Sequence, residues 1–353
     1  MYDITTRIDL CKLVPLNGEG KNSTVYTFFD NQLGNEFIVK RIEKQLIYDD
    51  YGDNSDSNLF NESCILYKVK HPNIMEIQYA SQDDDYVYMV MPKCSKGSLE
   101  AIINSEVLTV RKIVKFSLEF LLGLHYVHAN KLIHFDIKPT NILINDNNKA
   151  ILTDFGLSKF INYYGLSRPN KFYTPHYPPE AITATLLSNK SDIYQAGITM
   201  YRMCNGNEIF NNQLTSINSS DLGNYILAGK FPDRNYYRPH IPNKLRKIIN
   251  KCIDINPDKR YETILDVIND LSNIDVNLDL VYEEINSLKV RIKKKNDKMT
   301  HYDCIDIISN GNTYNTKGYK VKIDDQSSTK INAWNFDNLT RTNVSKTVEK
   351  IFN

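Results

Sequence analysis

The sequence predicts an α+β chain, a small β-rich unit followed by a larger and mainly helical one. Three observations carry this. Short runs of apolar and β-branched residues, separated by Gly and Asn turn signals, fill residues 10 to 45. Beyond about residue 95 the apolar spacing changes to that of amphipathic helices, clearest over 109–130. At 353 residues the chain exceeds what one compact core usually supports, so two packed units plus a tail are expected.

The elements follow in order. "CKLVPL", "STVYTFF" and "EFIVKRI" read as strands, divided by "NGEG" and "DNQLGN". Residues 48–58 are acidic and Asn/Ser-rich, which predicts a surface loop. Ser57 or Asn58 is then placed to cap a helix over "LFNESCILYKVK". "HPNIMEIQYA" and "DYVYMVM" read as two further strands. In the second unit, Ile113, Phe116, Leu118, Phe120, Leu121 and Leu124 fall among the apolar positions of the 109–130 helix. A loop region is expected through residue 180, then helices near 191–204, 243–253 and 261–272. From about residue 275 the pattern weakens, and the basic run "RIKKKNDK" reads as a solvated helix face.

Composition narrows the class. A net charge of +1 argues against a dedicated nucleic-acid binder, which normally carries a basic excess. Six scattered cysteines without a CxxC pair fit reduced thiols, not a disulfide framework or a zinc site. The charged N-terminal stretch is not expected to act as a signal peptide, and "FSLEFLLGLHYVHANKLIH" is broken by Glu119, Lys131 and three histidines, so no membrane span is expected there. A soluble, intracellular, cytoplasmic protein is expected.

The chemistry concentrates in a few short stretches. Gly18 and Gly20 stand between two predicted strands, where backbone N–H groups can approach phosphate oxygens without Cβ interference. Lys40 ends the strand "FIVK"; it matters only if a carboxylate holds it, and Glu62 is the candidate. In "HFDIKPTN", Asp136 is placed to accept a hydroxyl proton, Lys138 to neutralise a phosphoryl oxygen, and Asn141 to offer a carbonyl to a hard cation. Asp154, in "TDFG", suits a second cation-facing carboxylate. Each alone reads more simply as a turn-forming or solvated residue.

The ordered set does not. A Gly-rich hairpin, strand Lys, helix Glu, HxDxKxxN, DFG, Pro-Pro-Glu and "DIYQAG" together resemble the eukaryotic-type protein kinase family, serine/threonine-specific, over about residues 10–274. The resemblance implies a two-lobed fold, with a small β-rich N-lobe (about 10–92), a larger helical C-lobe (about 95–274) and ATP in the cleft. Residues 1–9 and 275–353 are then extensions, the second without a recognisable role.

Roles carry over by position. Asn17, Gly18, Glu19, Gly20, Lys21, Asn22, Ser23, Thr24 and Val25 match the loop over the phosphates and adenine. Lys40 matches the Lys on the α- and β-phosphates, held by Glu62. Asp136 matches the catalytic base, Lys138 the Lys facing the transferred phosphate, and Asn141 and Asp154 the Mg2+ ligands. Glu180 and Arg260 match a buried ion pair bracing the C-lobe, and Asp192 a helix Asp that binds the catalytic-loop backbone. With Met91 as gatekeeper, Pro92 presents the hinge carbonyl and Cys94 the hinge N–H; Pro, which lacks an N–H, sits where only a carbonyl is needed. Lys138 and the "TP" at 174–175 resemble serine/threonine kinases, with Thr174 positioned to hydrogen-bond Asp136 and Lys138.

Three residues depart from the family pattern. Phe135 replaces the Arg that ordinarily receives an activation-segment phosphate, which makes this a non-RD chain. Ser23 stands where a third loop glycine is common. Ile38 takes the place of the usual Ala above adenine, which keeps a nucleotide-binding pseudokinase as the alternative reading. A small-molecule kinase is disfavoured by "TPHYPPE". Protein substrates are expected, with no nucleic acid and no membrane span.

Overall fold

The computed structural model describes residues 13–16, 23–31, 33–51, 58–169 and 173–352. Strands β1 (Val14–Leu16), β2 (Thr24–Asp30), β3 (Asn35–Glu43), β4 (Tyr79–Gln82) and β5 (Tyr86–Pro92) form one antiparallel sheet in the order β1-β2-β3-β5-β4. Strand alternation sorts β3: Phe37 and Val39 are buried with Phe28 and Val90, while Ile38 and Lys40 turn to the opposite face. Directly opposed residues share a face, so Val25 and Met89 flank Lys40, and Thr27 and Met91 flank Ile38. Gly34, at φ +62, closes the β2–β3 turn with its N–H on the Asp30 carbonyl at 2.8 Å.

Helices α1 (Lys44–Tyr51) and α2 (Asn61–Lys68) complete this lobe. The loop expected over 48–58 is thus helical as far as Tyr51. A Gln45 Nε2 to Asp49 Oδ1 bond of 2.8 Å, one turn apart, supports that helix. Helix α2 has Phe60 at its N-cap and no side-chain cap; Asn58 instead accepts from the Asn61 amide at 3.2 Å, and Ser57 lies outside the described residues. The strand expected over 71–80 shrinks to Tyr79–Gln82. Its earlier part bonds elsewhere: Met75 N–H meets the Leu152 carbonyl at 2.8 Å, and Leu152 N–H meets the Asn73 carbonyl at 2.9 Å.

The second lobe comprises α3 (Leu99–Ser105), α4 (Val110–Ala129), β6 (Leu132–Ile133), β7 (Ile142–Ile144), β8 (Ala150–Leu152), β9 (Lys159–Phe160), α5 (Glu180–Thr183), α6 (Lys190–Asn205), α7 (Asn207–Thr215), α8 (Leu222–Leu227), α9 (Asn243–Cys252) and α10 (Ile264–Ser272). Ser98 and Thr109 cap α3 and α4, and Thr263 with Asp266 forms a capping box on α10. Helix α6 is buried along its whole length. A Cβ at Gly197 would lie 2.5 Å from Ile253 Cγ2, so glycine is what lets the end of α9 close on α6. The loop expected before residue 180 contains two small ladders, β6–β9 and β7–β8, too short to leave a periodic signal.

The tail is folded. Strands β10 (Val281–Asn286), β11 (Lys289–Lys295), β12 (His301–Asn310), β13 (Thr313–Lys322) and β14 (Ser328–Leu339) make an antiparallel meander, followed by α11 (Arg341–Phe352). Val344, Val348 and Phe352 of the helix pack on Ile292, Ile305 and Ile307. The run expected as a solvated helix face is therefore mostly strand β11. Val290, Ile292 and Lys294 turn inward there, and only the first two are apolar, so the strand period is easily missed. The module sits on the second lobe through a bidentate Arg111–Asp279 pair (2.6 and 2.7 Å), an Asn243 N–H to Glu349 bond (3.2 Å) and Arg341 stacked over Tyr236.

No helix among the described residues is long and apolar enough to cross a membrane. The described cysteines form no disulfide.

Candidate active site

Three elements deliver the charged centre. Lys40 reaches from β3 to Glu62 of α2 at 2.8 and 3.0 Å, and to Asp154, just after β8, at 2.9 Å. Residues 22 and 114 positions apart thus meet on one ammonium. Burial opposes the charge on Lys40, but the Asp154 and Glu62 carboxylates outweigh it and hold its pKa well above the ordinary value. Burial likewise works against Asp154, yet Lys40 and then Lys138 bring its carboxyl down to about 2. Glu62 moves the other way: burial pushes it up, and Lys40 only partly compensates. Lys40 and Asp154 are both charged at neutral pH.

Asp136 lies in the loop between β6 and a 3-10 turn over Pro139–Asn141. Its Oδ2 accepts from Lys138 Nζ and from Asn141 Nδ2, both at 2.7 Å. Its Oδ1 is buried and has no partner among the described residues. An orphaned buried carboxylate oxygen is costly in a finished fold and suits an absent donor. Asn141 also binds the Asp136 carbonyl at 3.0 Å, which fixes its amide plane.

The loop is held from beneath. Asp192 of α6 accepts the backbone N–H groups of His134 and Phe135, each at 2.8 Å, as the sequence led one to expect. Three residues along, Gln195 binds the Phe135 carbonyl (2.9 Å) and the Ile137 N–H (3.1 Å). His176 closes the clasp, with Nδ1 on the Ile137 carbonyl at 2.9 Å and Nε2 against Arg202 at 3.2 Å; Arg202 Nη2 in turn donates to both Glu100 carboxylate oxygens. Burial and the neighbouring Arg202 keep His176 neutral, well below its ordinary pKa. Sequence reasoning missed Gln195 and His176. The spacing of Gln195 from Asp192, on one helix face, was the available signal.

Phe135 and Asp154 both adopt left-handed backbone, φ +64 and +63, a conformation that costs a non-glycine residue about 1–2 kcal/mol. The Asp192 and Gln195 bonds offset it at Phe135. The Phe135 ring is fully buried with Ile133 and Leu187. Glu180 and Arg260 form the expected bidentate pair at 2.7 and 2.8 Å. Thr174 differs from expectation: it is exposed and bonds neither Asp136 nor Lys138, and Lys138 instead lies 4.9 Å over the Tyr173 ring.

An apolar cluster joins the two lobes. Ile38 from the first lobe and Leu143 from the second meet in one cluster with Met75, Met91, Ile151 and Cys94. Pro92 ends β5 opposite Phe37, and Val25 and Thr24 lie on β2 opposite Lys40 and Arg41. Ser23 is half-buried just before that strand. Asn17, Gly18, Glu19, Gly20, Lys21 and Asn22 lie outside the described residues. The oxygen donors of Asn141 and Asp154 fit a hard divalent cation, since Asp154 is partly exposed and commits only one oxygen to Lys40.

Comparison with known proteins agrees with this geometry. The family model described as protein kinase domain matches residues 12–270. The chain is 26% identical over 303 residues to a protein named "probable serine/threonine-protein kinase" in Clostridium acetobutylicum, covering 84% of this chain and 45% of that one. It is 27% identical over 254 residues to the serine/threonine-protein kinase PrkC of Bacillus subtilis, covering 71% and 38%. The chain spans less than half the length of these curated relatives. With the matched segment taking in both lobes and every charged residue of the cleft, this chain belongs to the protein kinase domain family.

Proposed function

We propose that the chain transfers the γ-phosphate of Mg-ATP to serine and threonine hydroxyls of protein substrates. The observation that carries this is Asp136, whose buried Oδ1 lacks a partner beside Lys138 and Asn141. Phosphoryl transfer passes through a loose transition state, so positioning and charge stabilisation do most of the work.

Each residue then has a task. Ile38 and Leu143 line the adenine site, with the Pro92 carbonyl and Cys94 N–H at its edge and Val25 above. The stretch from Asn17 to Thr24 matches the family's phosphate-binding segment, and Thr24 stands at the start of β2. Lys40, fixed by Glu62, neutralises the α- and β-phosphates. Mg2+ held by Asn141 and Asp154 would supply positive charge across the phosphate oxygens. Asp136 Oδ1 accepts the hydroxyl hydrogen bond, aligns the oxygen and takes its proton as the new O–P bond forms and ADP leaves. Lys138 meets the charge on the transferred group. The relatives named as serine/threonine kinases support the hydroxyl class. The full set of charged residues argues against a scaffold that binds nucleotide without transfer.

Radiolabelled ATP with wild type and Asp136→Asn on a generic unstructured protein tests this. The variant should retain nucleotide binding and lose about 100-fold or more in transfer. Equal labelling by both proteins would refute the assignment.

A further inference from the structure

The meander β10–β14 has two faces with different fates. One packs on α11 through Ile292, Ile305 and Ile307. The other is lined by the alternate residues of each strand, and their cross-strand partners define it: Glu283–Arg291–Asp306–Lys317 forms one row and Lys293–Cys304–Tyr319–Lys330 the next. On β11 every outward residue is a cation: Lys289, Arg291, Lys293 and Lys295. With Lys317 and Lys330, these two rows and β11 gather six cations against two carboxylates, on a chain whose total is +1.

Half of these cations are already engaged. Asp306 binds Lys289 at 2.6 Å and Arg291 at 2.9 Å, and Glu283 pairs with Lys293. Lys295, Lys317 and Lys330 are exposed and enter no ion pair or hydrogen bond among the described residues. They surround the paired centre on three strands.

We infer that this face is a docking surface for an acidic segment of a protein partner. Charge complementarity sets the sign. Cations two residues apart on a strand recur every ~6.8 Å, the spacing of alternate side chains in an extended peptide. The chemistry disfavours single-stranded nucleic acid, which needs open aromatic rings for base stacking. Here the Tyr319 ring already lies under Arg291 at 5.4 Å, and the Tyr302 ring under Lys293 at 5.3 Å. The two central carboxylates also interrupt any continuous track for a phosphate backbone. Because the pairs would form at an exposed face, binding is salt-sensitive and contributes recruitment more than tight affinity. The surface is separate from the transfer chemistry, so it stands or falls on its own.

Anisotropy of a fluorescein-labelled peptide of alternating glutamates, titrated with the full chain at low ionic strength, tests this. Saturable binding is expected. The triple variant Lys295→Glu, Lys317→Glu, Lys330→Glu should bind at least about ten-fold more weakly, from three exposed pairs lost. Lys346→Glu, on the exposed side of α11, should bind as wild type. Both variants should melt as wild type and phosphorylate a short neutral substrate at the wild-type rate. Unchanged binding by the triple variant overturns the proposal. So does tighter binding of a single-stranded oligonucleotide or of anionic lipid vesicles than of the peptide.

Discussion

Phe135 shows how one side chain changes the logic of a loop. An arginine there would present a guanidinium for an activation-segment phosphate; the phenylalanine is instead sealed among Ile133 and Leu187. The link between that segment and the Asp136 loop is made without phosphate, by His176 on the Ile137 carbonyl. We therefore expect phosphatase-treated protein to keep its full rate on a protein substrate. A loss of activity that maps to Ser167 or Thr174 would contradict this. Ile38 raises a different question, because it packs half-buried against the same apolar cluster as Leu143. If its bulk crowds adenine there, Ile38→Ala should lower the KM for ATP several-fold, at about 1–2 kcal/mol of lost packing. A raised KM would mean that the side chain supports adenine rather than crowding it.

At the scale of elements, α6 does the most positioning. Asp192 and Gln195 hold the loop backbone, Arg202 reaches His176, and Lys190 offers its carbonyl to Arg260 at 2.8 Å. The Glu180–Arg260 pair ties the short helix α5 to this frame. Removing one partner of a buried pair leaves an uncompensated charge, which is costlier than the pair itself is favourable. Glu180→Gln should cost about 3 kcal/mol, near the low end for buried pairs, because Arg260 keeps its bonds to the Asp254 and Lys190 carbonyls. Urea denaturation of variant and wild type measures this, and a change under about 0.5 kcal/mol would show the brace to be dispensable. Helices α2, α4, α6, α9 and α10 were legible from their apolar faces, whereas α1, α7, α8 and α11 were not. Strands β6 to β9 were not, since two or three residues carry no period. Strand β11 was misread because its cationic outward positions masked its few apolar inward ones.

Across the whole molecule, buried histidines set a pH response. Burial holds His134, His176 and His240 below their ordinary value of 6.5, His240 at about 3. Each is neutral in the fold and takes a proton on unfolding below that value, so the unfolded chain binds more protons and stability falls as pH drops through about 6.5. The slope is about 1.4 kcal/mol per pH unit for each histidine, with Glu62, raised by burial, opposing it at the acid end. Melting temperature should therefore decline between about pH 7 and 5.5, and less steeply in His240→Gln. A flat profile would mean that these rings are hydrated.

The sequence by itself determined the ordered motifs, and with them the family, the two-part architecture and the candidacy of Lys40, Glu62, Asp136, Asn141 and Asp154. Residue type and local spacing suffice for that. Only the tertiary structure decided that Lys40 bridges two carboxylates, that Asp136 keeps one oxygen unpaired, that His176 rather than Thr174 meets the loop, and that the tail is a sheet with a cationic face. These depend on which distant backbones approach, and chain packing, not local propensity, sets those distances.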